Sequence, residues 1–438
     1  MSRVMTRMAD LGAAGRRREK VDAKRRRAGL PHRIEYFHQV KDGYSHLAAQ
    51  LLVPLLEAYD VELVCHLVTV AHDGNLPEPE LLLRLSRDDA AAVAPHYGLR
   101  FASGRDAPPD GLVEQAEAIL AQVDGADFPK VAVAVGDALW AGDADALKGL
   151  ADRHGCADAE TTRTCIERGV ARRRALGHYS AAMFHYGGEW YWGADRLYHL
   201  EQRFAELGVA RAVGAEPICP RPGIEYGPLR DDGSLTFEVY PSLRSPYTSF
   251  IFDLAVKLAT ETGVRLVVRP VLPMVMRGVP VTRTKGSYIM WDASREAAAL
   301  GLSWGKIYDP IGDPVRRAYS LYPWACEQGR GNELLSEFLR AAFTDGINTN
   351  NDRGLRHVVE RSGLSFDEAK AIVGNPHWEA ELEDNRLAMY EFGTWGVPTF
   401  RLLDDRGTEV LALWGQDRLW LFAREIQRLL RERASAGD

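Results

Sequence analysis

The sequence predicts an α/β protein made of two tandem copies of one fold, each carrying a helical insertion. Three observations lead there. The hexamer Trp-Gly-x-Asp-Arg-Leu occurs twice, at residues 192–197 and 414–419, each time before a long amphipathic run. A strand, a helix and a second strand open each half, which is the pattern of a duplicated unit. The 438 residues, 46% of them hydrophobic, support two domains of about 200 residues, each with its own core.

Residues 1–31 read as a basic N-terminal extension. Residues 1–30 hold ten Lys/Arg and three acids, a net +7, so the remainder carries −14 of the total −7. Such a segment could bind nucleic acid or anionic lipid. It could equally be a solvated helix on the acidic body. The rest of the chain has no basic nucleic-acid signal, which favours the second reading. The extension lacks an apolar h-region and a cleavage site, and no stretch is long and apolar enough to span a membrane. The five cysteines are scattered without a CxxC pair, which points to a reducing cytoplasm.

Residues 32–208 form the first copy. Ile34–Phe37 reads as a strand, a helix opens at Gly43 with Leu52, Leu55 and Leu56 at helical spacing, and Val61–Cys65 reads as the next strand. Residues 209–231, with Pro217, Pro220, Pro222, Gly223 and Pro228, read as a linker. Residues 232–438 repeat the scheme. Leu235–Tyr240 is a strand, a helix opens at Pro246 with Phe252, Leu254 and Leu258 on one face, and Val264–Val268 is a strand.

The second copy holds the residues with chemical promise. Gly396-Val397-Pro398-Thr399-Phe400 reads as a loop entering a buried strand through an X-Pro bond. That bond can be cis, which exposes the N–H and C=O of the preceding residue to a peptide-like ligand. In the turn 241–247, Ser245 reads as an N-cap and Pro246 as the first helical residue. The same geometry lets a hydroxyl donate to a thiolate beside the positive end of the helix. Neither strand–helix turn contains a cysteine, which excludes disulfide exchange of the usual kind. Tyr288, Asp292 and Arg295 share one helical face, as an Asp–Arg pair or as part of a site. Gln416 and Asp417 stand where they could cap the last helix or meet an anion.

These segments resemble the DsbA-type thioredoxin superfamily, and more narrowly the 2-hydroxychromene-2-carboxylate isomerases and kappa-class glutathione transferases. The run Lys285-x-x-Tyr288-x-x-x-Asp292-x-x-Arg295-x-Ala297 is similar to a motif of that family. The resemblance implies two thioredoxin-like domains of DsbA type, with the active site in the second. It implies Ser245 as the catalytic hydroxyl that stabilises a glutathione thiolate. Pro246, Tyr247, Lys285, Val397, Pro398, Gln416 and Asp417 would contact glutathione or a small aromatic substrate. The implied activity is that of a cytoplasmic glutathione-dependent isomerase or transferase. The family's Asn-containing stretch is replaced by residues 276–284, which have no Asn but include Arg277 and Arg283. The alternatives are an oxidoreductase using Cys65 or Cys326 without CxxC, and a non-catalytic binding protein.

The first copy departs from that pattern. Asp42 stands at the slot of Ser245, Gly43 at that of Pro246 and Ala182 at that of Pro398. Asp42 would cap the helix well but repel a thiolate. His38, Asp42, His46 and His66 could gather around a metal, but their spacing specifies no site and none is assigned. The expected role of this copy is a built-in partner, making an internal pseudo-dimer.

Overall fold

The computed structural model describes all residues except 71–73, 103–105, 124, 213, 215 and 438. The chain forms two compact units, Gly15–Arg221 and Met1–Ala14 with Pro222–Asp438.

In the unit 15–221, strands β1 (Arg33–His38), β2 (Glu62–Leu67), β3 (Met183–Tyr186) and β4 (Glu189–Trp192) form a sheet of order β2-β1-β3-β4. β1 and β2 are parallel and the other pairs antiparallel. The expected helix after β1 is two helices, Gly43–Gln50 and Leu52–Ala58. Pro54, early in the second, has no N–H to continue the first helix's ladder. Tyr36, Phe184, Tyr191, Leu197 and Phe204 lie in the buried core.

The unit 222–438 repeats this order. Strands β5 (Thr236–Tyr240), β6 (Arg265–Val268), β7 (Thr399–Leu403) and β8 (Glu409–Trp414) run β6-β5-β7-β8, with β5–β6 parallel and the rest antiparallel. Phe237, Phe400 and Phe422 pack together at ring-centroid distances of 5.5–5.7 Å. All three are 0% exposed, and burial of each contributes about 2 kcal/mol. Between β6 and β7 lie helices, turns and irregular connections, with no strand among the described residues.

The register exposes a match that the sequence reading did not use. Glu35 faces His185 on β3, and Glu238 faces Arg401 on β7. Each is a buried carboxylate at mid-strand, held by basic side chains. Arg172 and His66 bond Glu35. Arg269 and Arg401 bond Glu238.

The structure adds detail at the extension and at the linker. The extension 1–31 is divided between the units. The helix Ser2–Ala9 belongs with 222–438, and most of the helix Leu11–Arg27 belongs with 15–221. There Arg18 makes a forked ion pair with Glu189 at 2.9–3.1 Å, and buried Asp22 binds Arg25 and Arg26. The boundary between the units, after Arg221, falls within residues 209–231, and this stretch is tied down at several points. Val209 accepts from the Asp60 N–H, Glu201 accepts from Ile218 and Cys219, and Gln427 clamps both backbone groups of Leu229. Positions 213 and 215 lie outside the described residues.

Candidate functional site

β5 ends at Tyr240, and the chain turns through 241–247 into the helix Thr248–Thr262. Ser245 accepts the Thr248 N–H at 3.1 Å, the expected capping bond, although the regular helix begins only at Thr248. Its hydroxyl also donates to the Val397 carbonyl at 3.4 Å. Segments 152 residues apart in sequence thus meet at one side chain, which is 8% exposed. The Val397–Pro398 bond is cis, the one such bond among the described residues. Gly396 is required here, because a Cβ would lie 2.5 Å from the Trp414 indole.

Tyr247 sits beside Ser245, half-buried, and donates to Asp292 at 2.9 Å. Asp292 also accepts from Arg295 at 2.7 Å, within the helix Arg283–Ala299. The shared face of Tyr288, Asp292 and Arg295 is therefore buried, and the Asp–Arg pair forms. Lys285 lies in the first turn of that helix, half-buried, with its N–H capped by Thr282. Pro246 is half-buried between Ser245 and Tyr247.

Gln416 and Asp417 part company. Gln416 is 3% exposed, and its amide donates to buried Glu296 at 2.7 Å. Its amide nitrogen is thereby a strut between two helical segments. Asp417 remains half-buried beside Gly415, one residue before Arg418 and the helix Leu419–Gly437. Arg277, one of two candidates to replace the missing Asn, donates to the Leu272 carbonyl at 3.0 Å. Burial lowers its pKa. Arg283 is exposed at the start of its helix.

The unit 15–221 keeps the frame and changes the groups. Asp42 accepts from the Ser45 N–H at 3.0 Å and from the Ser45 hydroxyl at 2.7 Å, capping Gly43–Gln50. Burial raises its carboxyl pKa, against the Ser45 hydrogen bonds. The Gly193 N–H donates to the Ala182 carbonyl at 2.7 Å, as Gly415 does to Pro398 at 3.0 Å. Ala182 has φ +54°, a region that costs a residue with a Cβ about 1–2 kcal/mol. Gln39, Asp42, Tyr44, Ser180, Ala181 and Trp192 border a cavity of about 30 Å³, room for one water.

The histidines do not gather around a metal. His66 bonds Glu35, His38 lies 3.0 Å from the Tyr36 hydroxyl and His46 lies 3.2 Å from Asp137. Among the described residues no three His, Cys, Asp or Glu converge on one point. The five cysteines are free, and burial raises the Cys65 and Cys326 thiols.

Residues 236–427 match the model of the DSBA-like thioredoxin domain. The unit 222–438 carries a DSBA-like thioredoxin domain. Over 121 residues the chain is 29% identical to the 2-hydroxychromene-2-carboxylate isomerase of Sphingobium xenophagum, covering 26% of this chain and 59% of that enzyme. A solved 2-hydroxychromene-2-carboxylate isomerase aligns at 20% identity and TM-score 0.38, over 46% of this chain and 98% of its own. The cytosolic disulfide reductase DsbM of Pseudomonas aeruginosa, solved with GSH, aligns at 19% identity and TM-score 0.33, over 46% and 99%. No helix among the described residues is long and apolar enough to cross a membrane.

Proposed function

We propose that the unit 222–438 is a glutathione-dependent isomerase or transferase acting on a small aromatic substrate. The observation that carries this is the meeting of Ser245 with Val397 at the start of the Thr248–Thr262 helix. A hydroxyl at a helix N-terminus, next to the open end of a strand, suits a peptide that carries a thiol. Glutathione would supply a sulfur nucleophile that adds to the substrate and leaves again.

Ser245 would turn its hydroxyl from the Val397 carbonyl to the sulfur and hold it ionised. The helix N–H groups add partial positive charge at the same place. Val397 would align the ligand backbone, with Pro398 and Pro246 shaping the two walls. Lys285 and the helix start beyond Asp417 would hold carboxylates. Tyr247, fixed by Asp292, would border the substrate. The unit 15–221 would be a degenerate copy of the same DsbA-type fold, serving as an internal partner. Five free cysteines suit a reducing compartment such as the cytoplasm.

A non-catalytic binding role is the second reading. It is favoured by the burial of Ser245 and its bond to Val397. Calorimetric titration of reduced glutathione into the wild type and Ser245→Ala separates the two. Binding that weakens in the variant supports the glutathione site, and no binding to folded wild type removes it.

A further inference from the structure

The segment 302–309 has no regular secondary structure, yet four of its backbone donors, those of Gly305, Ile307, Tyr308 and Asp309, are bonded from two sides. On one side is the π-helical turn Ala341–Asp345, whose Phe343 and Ala342 carbonyls accept the Gly305 and Tyr308 N–H groups at 2.9 and 2.8 Å. On the other is the N-terminal helix Ser2–Ala9. The Ile307 N–H donates to the Thr6 hydroxyl at 3.0 Å, and the Asp309 N–H donates to the Ser2 hydroxyl at 3.0 Å. Thr6 donates back to the Ile307 carbonyl at 3.3 Å. Ser294 holds the end of this helix by donating to the Ala9 carbonyl at 2.7 Å, and Met5 and Ala9 are buried.

The clasped segment reaches both neighbours of Ser245. The Asp309 carboxylate takes the Arg244 guanidinium in a fork at 2.8 and 3.1 Å. Such paired bonds fix direction as well as distance. The Trp304 indole donates to Ser249 at 2.7 Å, and Ser249 donates to the Pro246 carbonyl at 2.6 Å. Residues 244 and 246 are thus both tied to a strap that the first nine residues of the chain hold down.

We propose that the N-terminal helix is a working part of the second unit's site, with Ser2 and Thr6 as positioning residues that fix Ser245 through the strap 302–309. This rests on the reading of Ser245 as the thiolate-binding hydroxyl. The helix acts by limiting the freedom of Arg244 and Pro246, so that the Ser245 backbone stays fixed at the helix start.

The test uses full-length Thr6→Val, Thr6→Ser and Ser2→Ala proteins, hydrogen–deuterium exchange and glutathione titration. Thr6→Val is expected to speed exchange of the Ile307 amide about tenfold, the effect of losing one buried hydrogen bond. Exchange in 243–249 should rise, and glutathione affinity fall, by about threefold through the coupling. Thr6→Ser, which keeps the hydroxyl, should restore all three. Ser2→Ala removes the acceptor of the Asp309 N–H and serves should the valine variant fail to fold: exchange of that amide should speed, with the same rise in 243–249 and fall in affinity. Faster exchange confined to 302–309, with 243–249 unchanged, overturns the proposal. Should the wild type bind no glutathione, the reading of Ser245 falls, while exchange in 243–249 still decides whether the N-terminal helix holds the turn.

Discussion

Tyr247 donates its hydroxyl hydrogen to Asp292 at 2.9 Å across 45 residues of sequence. Tyr44 does the same to Asp89 at 2.7 Å, across the same 45 residues. Each tyrosine stands two residues beyond a capping side chain, Ser245 or Asp42. The brace between the strand–helix turn and the following helical stretch is therefore present twice, although only one copy keeps a hydroxyl at the cap.

Removing that brace should cost stability before it costs anything else. Tyr247→Phe loses one hydrogen bond and is expected to lower stability by about 1 kcal/mol. Asp292→Ala breaks the buried pair with Arg295 and should lower it by about 3 kcal/mol or more. Urea denaturation of both variants checks the order, and equal effects would show that the carboxylate holds only the tyrosine.

How much of this could be read from the sequence depends on range. The four opening strands and the capping bond of Ser245 follow from local alternation and turn residues, and both were legible; the loop 396–399 is mostly buried, with its Val397 carbonyl taken by Ser245. The Tyr247–Asp292 brace, the Gln416–Glu296 strut and the Arg244–Asp309 fork were not legible. They join residues 45, 120 and 65 apart, where helix packing rather than spacing decides who meets whom. The partners of the histidines were illegible for the same reason. His38, His46 and His66 are close in sequence, but strand alternation and the helix turn send them to Tyr36, Asp137 and Glu35. The composition of the Arg-rich extension pointed to a helix on the body of the protein but not to the contacts that hold it. Met5 and Ala9 seat the helix Ser2–Ala9, and the Arg18–Glu189 fork holds the Arg-rich helix that follows.

The unit 15–221 should lose stability on acidification. Burial holds His185 down to about 4, and burial with nearby His46 holds His38 down to about 3. Both bind a proton in the unfolded chain near the ordinary histidine value of about 6.5 but not in the folded one. Stability therefore falls as pH drops from that value toward the folded ones. Glu35 extends the loss. Burial would raise its pKa, but hydrogen bonds from Arg172 and His66 outweigh it and hold the carboxyl at about 2. Its depressed pKa adds stability that disappears as pH falls from about 4.5 toward that value. Urea midpoints measured at descending pH should show this, with a shallower decline between pH about 6.5 and 4 in His185→Gln. An unchanged slope would remove His185 from the account.

Gly396→Ala should disturb the loop before β7. The added Cβ meets the Trp414 indole at 2.5 Å, and Trp414 already packs on Trp395 with centroids 5.2 Å apart. Displacing the indole is expected to cost about 1–3 kcal/mol, as overpacking does. Thermal melting gives the cost, and tryptophan fluorescence should shift toward a more solvated indole. A melt like that of the wild type would mean that the loop yields without strain.

The central claim is that Ser245 holds an ionised glutathione sulfur. The direct measurement is the ultraviolet difference absorbance of the thiolate, recorded with reduced glutathione bound to the wild type and to Ser245→Ala while pH is lowered from alkaline to neutral. The account predicts a thiolate band that persists at neutral pH in the wild type and fades at higher pH in the variant. A bound thiol that titrates identically in both proteins, or no bound glutathione at all, would contradict it.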